Sequence, residues 1–181
     1  MEKLKVKREK VEVGKKAKMK KLAYLVIHCT ATPKGRVVTK EEIIRWHTAP
    51  KDKGGRGWKQ VGYSDMILLD GTLVNLVAHN DNDVVDPWEI TNGASGINSV
   101  SRHIVYVGGM DLKYKNPEDT RTDTQKKTLE DYVKQMIKSH PTIKVMGHYQ
   151  APDAAGKACP SFDVPKWLLS IGIQVANIYK P

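Results

Sequence analysis

The segment GHYQAPDAAGKACPSFDVPKWL, residues 147–168, gathers His148, Lys157 and Cys159 into one turn-rich stretch of a chain that has only two cysteines and six histidines. Far upstream, His28 closes the apolar run LAYLVIHC. Zinc takes imidazole nitrogen and thiolate sulfur, and a catalytic zinc site uses three protein ligands and keeps a fourth position open. His28, His148 and Cys159 are therefore a candidate metal set. Two neutral imidazoles and one thiolate would leave such a site at net +1, enough to polarise a water or a carbonyl oxygen. The spacing alone does not fix this trio, because no short C-x-x-C pattern is present. The same residues also read as an ordinary strand histidine, a solvated lysine and a small buried thiol.

The rival ligand, Cys29, directly follows His28, and successive strand side chains point to opposite faces. Cys29 is thus expected to pack behind the site, with Cys159 as the ligand. Lys157 stands two positions before Cys159; in an extended segment the two share a face, so its ammonium is expected on the metal side, where a developing oxyanion would accept it. Tyr63 follows Gly62 and is expected to begin a strand, either as a core phenol or as a proton donor to the site.

Several elements must position these groups. LAYLVIHC reads as a buried strand ending at His28. Thr39 with Glu42, and Thr122 with Gln125, are capping boxes that open two helices. The second of these carries Leu129, Tyr132, Val133, Met136 and Ile137 at helical spacing and stops before Pro141. VGYSDMILLDGTLVNLV reads as an antiparallel pair turning at Asp70-Gly71, a dipeptide suited to a two-residue hairpin. HIVYVGG and IKVMGHY give further strands, and Asp163 caps a last helix that ends at Gly172. The expected class is α/β, a central mixed β-sheet flanked by helices.

The formal net charge of +10 is uneven. Residues 1–21 hold ten Lys or Arg against three Glu, net +7, which leaves +3 to residues 22–181. The first stretch reads as a basic, flexible tail, and residues 22–181 as one domain large enough to bury a core without disulfides. Such a tail could meet a polyanion, which keeps a nucleic-acid or polymerase-binding role as an alternative. Lys-rich sequence runs into only a short apolar run, so no export signal is expected and synthesis in the cytoplasm is the expectation. No segment has the length of a membrane span. A monomer is expected.

VIHCTAT at 26–32, GWKQVGYSDMILLDGTL at 57–73, GIN and VYVGGMD within 96–111, and GHYQ with GKACPSFDVPKWL at 147–168 together resemble the zinc N-acetylmuramoyl-L-alanine amidases of the phage-lysozyme type. Peptidoglycan recognition proteins share that superfamily. The resemblance runs in order from Tyr24 to Leu169. It implies Zn2+ on His28, His148 and Cys159, with Tyr63 and Lys157 as the catalytic pair. The implied activity is cell-wall lysis, by cleavage of the amide between N-acetylmuramic acid and the L-alanine of the stem peptide. A non-catalytic peptidoglycan-binding module typically lacks the cysteine, which is present here.

Departures from the family pattern are Ser64, Asp65, Gly93 where some relatives carry histidine, and SRH at 101–103 where Ser-Ile-Gly is more usual. Substrate contacts there do not carry over. Of the other histidines, His47 reads as a structural residue near a helix C-terminus, where a cation is favoured. His79 and His103 flank the expected cleft as candidate substrate contacts, and His140 is a helix-end residue. Trp46, Trp58 and Trp88 are candidates to line a glycan groove. DNDVVD at 81–86 lacks the glycine and distal glutamate of a calcium loop.

Overall fold

The computed structural model describes residues 19–181, so most of the basic segment expected as a tail lies outside the described residues. Its last three residues are described, and two of them, Lys20 and Lys21, form a strand. In chain order the strands are β1 (Lys20–Lys21), β2 (Tyr24–Cys29), β3 (Thr32–Pro33), β4 (Asp65–Ile67), β5 (Leu73–Asn75), β6 (Val84–Val85), β7 (Ser101–Tyr106), β8 (Gly109–Met110) and β9 (Lys144–Gly147). The helices are α1 (Lys40–Thr48), α2 (Asp123–Ser139) and α3 (Val164–Ser170). Five strands make the central sheet in the order β5-β4-β7-β2-β9, with only the β4–β5 pair antiparallel. The sheet is mixed, as expected. β1 pairs with β6, and β3 with β8, in two small side ladders.

Both capping boxes form. Thr39 Oγ1 accepts the Glu42 amide at 3.2 Å while Glu42 accepts the Thr39 amide at 3.0 Å. Thr122 and Gln125 repeat the exchange at 3.1 and 3.0 Å. These bonds satisfy amides that a helix start leaves without intrahelical partners. Asp163 caps α3 through the Lys166 amide. The hairpin differs from expectation: β4 and β5 stop at Ile67 and Leu73, and the amide of Leu68 donates to the Thr72 carbonyl, so the connection is longer than Asp70-Gly71.

The sheet is covered on both faces, which is why its central strands are almost wholly apolar. Leu25, Ile27 and Cys29 of β2 pack with Leu129 and Val133 of α2 and with Val164 and Leu168 of α3. Met66 and Val105 pack instead with Ile43 of α1. Strand alternation therefore turns His28, between Ile27 and Cys29, toward the α1 face.

Candidate active site

His28 lies one residue from the end of β2 and is fully buried. His148 is the first residue beyond β9 and opens a single 3-10 turn, one position later than the strand end expected for it. Cys159 sits in the loop before α3. The Cys29 amide donates to its Sγ at 3.3 Å, and its own carbonyl accepts from the Tyr149 amide at 2.8 Å. The neighbouring Pro160 carbonyl accepts from the Tyr106 hydroxyl at 2.6 Å. Arg121 holds the far side of this loop, its guanidinium 3.3 Å from the centre of the Phe162 ring and paired with Asp119 at 2.8 Å.

These elements bring one ligand atom each of His28, His148 and Cys159 within 4.8 Å of one another. His28 Nδ1 is 3.9 Å from Cys159 Sγ. A tetrahedral centre with bonds of about 2.0–2.3 Å separates its donors by roughly 3.6 Å, so the trio fits a small divalent cation after slight closure. The other ring nitrogen of His28, Nε2, lies 3.0 Å from His103 Nδ1, which leaves Nδ1 as the atom free to ligate.

Lys157 Nζ is 3.4 Å from His148 Nε2 and lines the same cleft. Tyr63 does not begin a strand; it lies in the loop two residues before β4, with its ring 5.0 Å from that of His28. That loop is held by His47, whose Nδ1 accepts the Gly62 amide at 3.2 Å and whose ring meets the edge of Tyr63 at 5.2 Å and stacks on Trp58 at 4.9 Å. All three residues line a cleft of about 610 Å³ together with Lys157 and Cys159. Arg56 lines it too, 5.1 Å over Trp58. Among the described residues the lining contains these two cations and no carboxylate, which gives the cleft a positive potential.

The electrostatics keep the histidines, Tyr63 and Cys159 in their uncharged forms. Burial, then His103, His148 and Lys157, keep His28 well below its ordinary pKa. Burial and Lys157 bring His148 down to about 4. His47 is lowered to about 4 by burial and Arg56, so it is not the helix-end cation the sequence suggests. Burial, with smaller effects from the two thiols, raises Tyr63, which keeps its phenol proton. The Cys29 side chain and then burial push the Cys159 thiol up. A bound cation reverses this, because a coordinating thiol is deprotonated.

One consequence concerns stability. A folded-state pKa below the unfolded 6.5 means that the unfolded chain takes up the proton first as pH falls. His28, His47, His103 and His148 all shift in this direction. Their contribution is complete above about pH 6.5 and is lost as pH falls toward 4. The metal-free protein is expected to lose stability progressively as pH falls through that window, most of it through the fully buried His28 and His103. Urea midpoints measured from pH 7 to 4.5 check this, and a flat profile would contradict it.

The remaining candidates are placed as follows. Cys29, expected to pack behind the site, is buried but meets Cys159 and contributes to the cleft lining; its Sγ is 3.7 Å from Ser161 Oγ, and a Cβ on Gly109 would lie 2.4 Å from that sulfur, so only glycine fits there. His79 turns away from the cleft to Asp65, at 2.9 Å. Asp65, the polar departure on β4, also accepts from Tyr132 at 2.7 Å and Asn75 at 3.0 Å; burial raises its pKa, and these three bonds outweigh that effect and lower it. His103 touches no cleft surface and is fully buried against His28. His140 caps α2 and pairs with Asp83 at 2.9 Å. Trp46 lines the cleft with Trp58, whereas Trp88 is exposed elsewhere. Sequence reasoning missed Arg56 as a cleft cation and the buried contact of His103 with His28; it read His47 as structural, though not as the residue that holds the Tyr63 loop. A GRGW stretch just ahead of Tyr63 was the only available signal for Arg56.

Comparison with known proteins gives the family and the fold. Residues 18–162 match the family model described as N-acetylmuramoyl-L-alanine amidase. An endolysin of Enterobacteria phage K11 is 34% identical over 83% of this chain and 88% of its own length. An endolysin of Klebsiella phage KP32 is 33% identical over 83% and 87%. Among solved structures, the Ph2119 endolysin from Thermus scotoductus MAT2119 bacteriophage Ph2119 superposes with a TM-score of 0.62 at 22% identity, covering 86% of this chain and 87% of that one. Drosophila PGRP-LB superposes at 0.54 with 20% identity and 78% coverage of each. At these identities the structural matches speak for the fold alone.

Proposed function

The chain belongs to the N-acetylmuramoyl-L-alanine amidase family and is an amidase of the endolysin type; on that footing we propose that its activity depends on zinc held by His28, His148 and Cys159, with Tyr63 and Lys157 as the catalytic pair. The bond cleaved is the amide joining the lactyl group of N-acetylmuramic acid to the L-alanine of the stem peptide, in the peptidoglycan of the cell wall. The observation that carries this reading is the convergence of two imidazoles and one thiol within 4.8 Å, with buried His28 behind and His148 and Cys159 on the wall of a cleft that Lys157 and Tyr63 also line. The donor set is one that zinc prefers, and with one thiolate it leaves the site at net +1.

When bound there, zinc supplies Lewis acidity to the scissile carbonyl and lowers the pKa of water. Hydrolysis breaks the C–N bond, adds the oxygen of water to the carbonyl carbon and delivers a proton to the departing amine nitrogen. Lys157, beside His148, stabilises the oxyanion that develops on the carbonyl oxygen. Tyr63, protonated and held by the loop that His47 anchors, donates a hydrogen bond to the reacting amide or passes a proton to the leaving nitrogen. Arg56 and Lys157 give the cleft the sign that a stem peptide bearing free carboxylates requires.

Digestion of defined muropeptides tests the assignment. Stem peptides with a new alanine amino terminus are expected, with loss of product after chelator treatment and recovery on adding zinc. New reducing sugar ends without new amino termini would assign the protein to glycan cleavage instead, and turnover unaffected by the chelator would remove zinc from the mechanism.

A further inference from the structure

We propose that His103 is a positioning residue for the metal ligand His28: its Nδ1 accepts the Nε2–H of His28 and so fixes the tautomer in which His28 Nδ1 is free to ligate. The inference rests on the zinc reading above and adds a residue to it.

The pairing follows from strand register. Val26 stands opposite His103 and His28 opposite Val105 on the parallel strands β2 and β7, so His28 and His103 share a face as diagonal neighbours. Their nitrogens are 3.0 Å apart, and both rings are fully buried. Gly93 leaves room for the contact, since a Cβ at that position would lie 2.4 Å from His103 Nδ1. Two of the positions that depart from the family pattern thus meet at one point.

Two neutral imidazoles joined by one hydrogen bond share one proton in either of two ways. If His103 Nδ1–H donates, the remaining proton of His28 sits on Nδ1 and faces Cys159 Sγ, 3.9 Å away, and that nitrogen cannot ligate. If His28 Nε2–H donates, Nδ1 carries a bare lone pair. A cation on Nδ1 selects the second arrangement, which places the proton of His103 on its own Nε2. That atom is buried and, among the described residues, has no hydrogen-bond partner, as is also true of Thr91 Oγ1 and one nitrogen each of Arg102 and Arg121. Such an orphan is costly, so the contact at Nδ1 is the one hydrogen bond that His103 makes through its ring. A ligand histidine usually donates to a carboxylate, a carbonyl or water. Here the acceptor is an uncharged ring, which orients the ligand without adding negative charge to it.

The test compares zinc affinity of the wild type with that of His103→Leu and His103→Asn, by competition with a chromophoric chelator. His103→Leu has no acceptor and is expected to bind zinc roughly 10–100-fold more weakly. His103→Asn, whose side-chain oxygen sits near the place of Nδ1, is expected to stay within a few fold of wild type. Should the leucine variant fail to fold, long-range 1H–15N spectra of zinc-loaded wild type decide: the expected protons are on Nε2 of both His28 and His103. Equal zinc affinity in His103→Leu, or a proton on His103 Nδ1 in the zinc-loaded protein, overturns the inference. A wild-type protein that binds no zinc overturns the zinc reading itself, an outcome distinct from the first two.

Discussion

Cys159→Ser is expected to abolish turnover and to strip the protein of zinc during dialysis, with little change in the fold. Serine is nearly isosteric, but its hydroxyl stays protonated near neutrality, so the donor changes from a thiolate to a neutral oxygen and the site from net +1 to +2. Zinc's preference for sulfur is lost at the same time. The affinity loss should exceed the roughly 10–100-fold that removal of an outer partner costs. The loop keeps its other attachments, the Cys159 carbonyl with the Tyr149 amide and the Pro160 carbonyl with the Tyr106 hydroxyl, so circular dichroism should be unchanged. Zinc content measured by atomic emission after dialysis checks the claim. A serine variant that keeps stoichiometric zinc would assign the sulfur another role.

Lys157→Ala and Tyr63→Phe are expected to separate binding from chemistry. Each should keep zinc and lose about 100–1,000-fold in kcat, the range seen when one oxyanion donor is removed from a preorganised site. Lys157 is near His148 but is not a metal donor, and truncating it removes a cation that disfavours metal binding, so zinc affinity should hold or rise. Tyr63→Phe removes one hydroxyl and keeps the ring contacts with His28 and His47. Because both groups act on the reacting amide, KM should move less than kcat. Full turnover by either variant on purified sacculi would exclude that residue from the reaction.

Local information in the chain specified most of the elements. Each capping box is closed within four residues, so Thr39 with Glu42 and Thr122 with Gln125 could be read directly, and both form. Alternation along a strand is equally local, and it separated His28 from Cys29 correctly. Turn geometry was less legible: the hairpin is longer than Asp70-Gly71 implied, and Tyr63 belongs to a loop, because strand ends depend on where pairing stops.

What the linear pattern determined by itself was the three helices and the strands of the central mixed sheet, though not the short side ladders β1–β6 and β3–β8, and, through motifs in order, the chemistry to expect of His28, Tyr63, His148, Lys157 and Cys159. Only the tertiary structure decided which groups touch. His28 and Cys159 are 131 positions apart and His28 and His103 are 75 apart. Their distances depend on the register of parallel strands joined by long crossovers, which no local rule fixes. The same register made a buried partner of His103, and distant pairing turned His79 to Asp65 and seated His47 under the Tyr63 loop. A side chain's type is written in the sequence, but its hydrogen-bond partner, and with it its protonation and its use, is set by whichever strand comes to lie beside it.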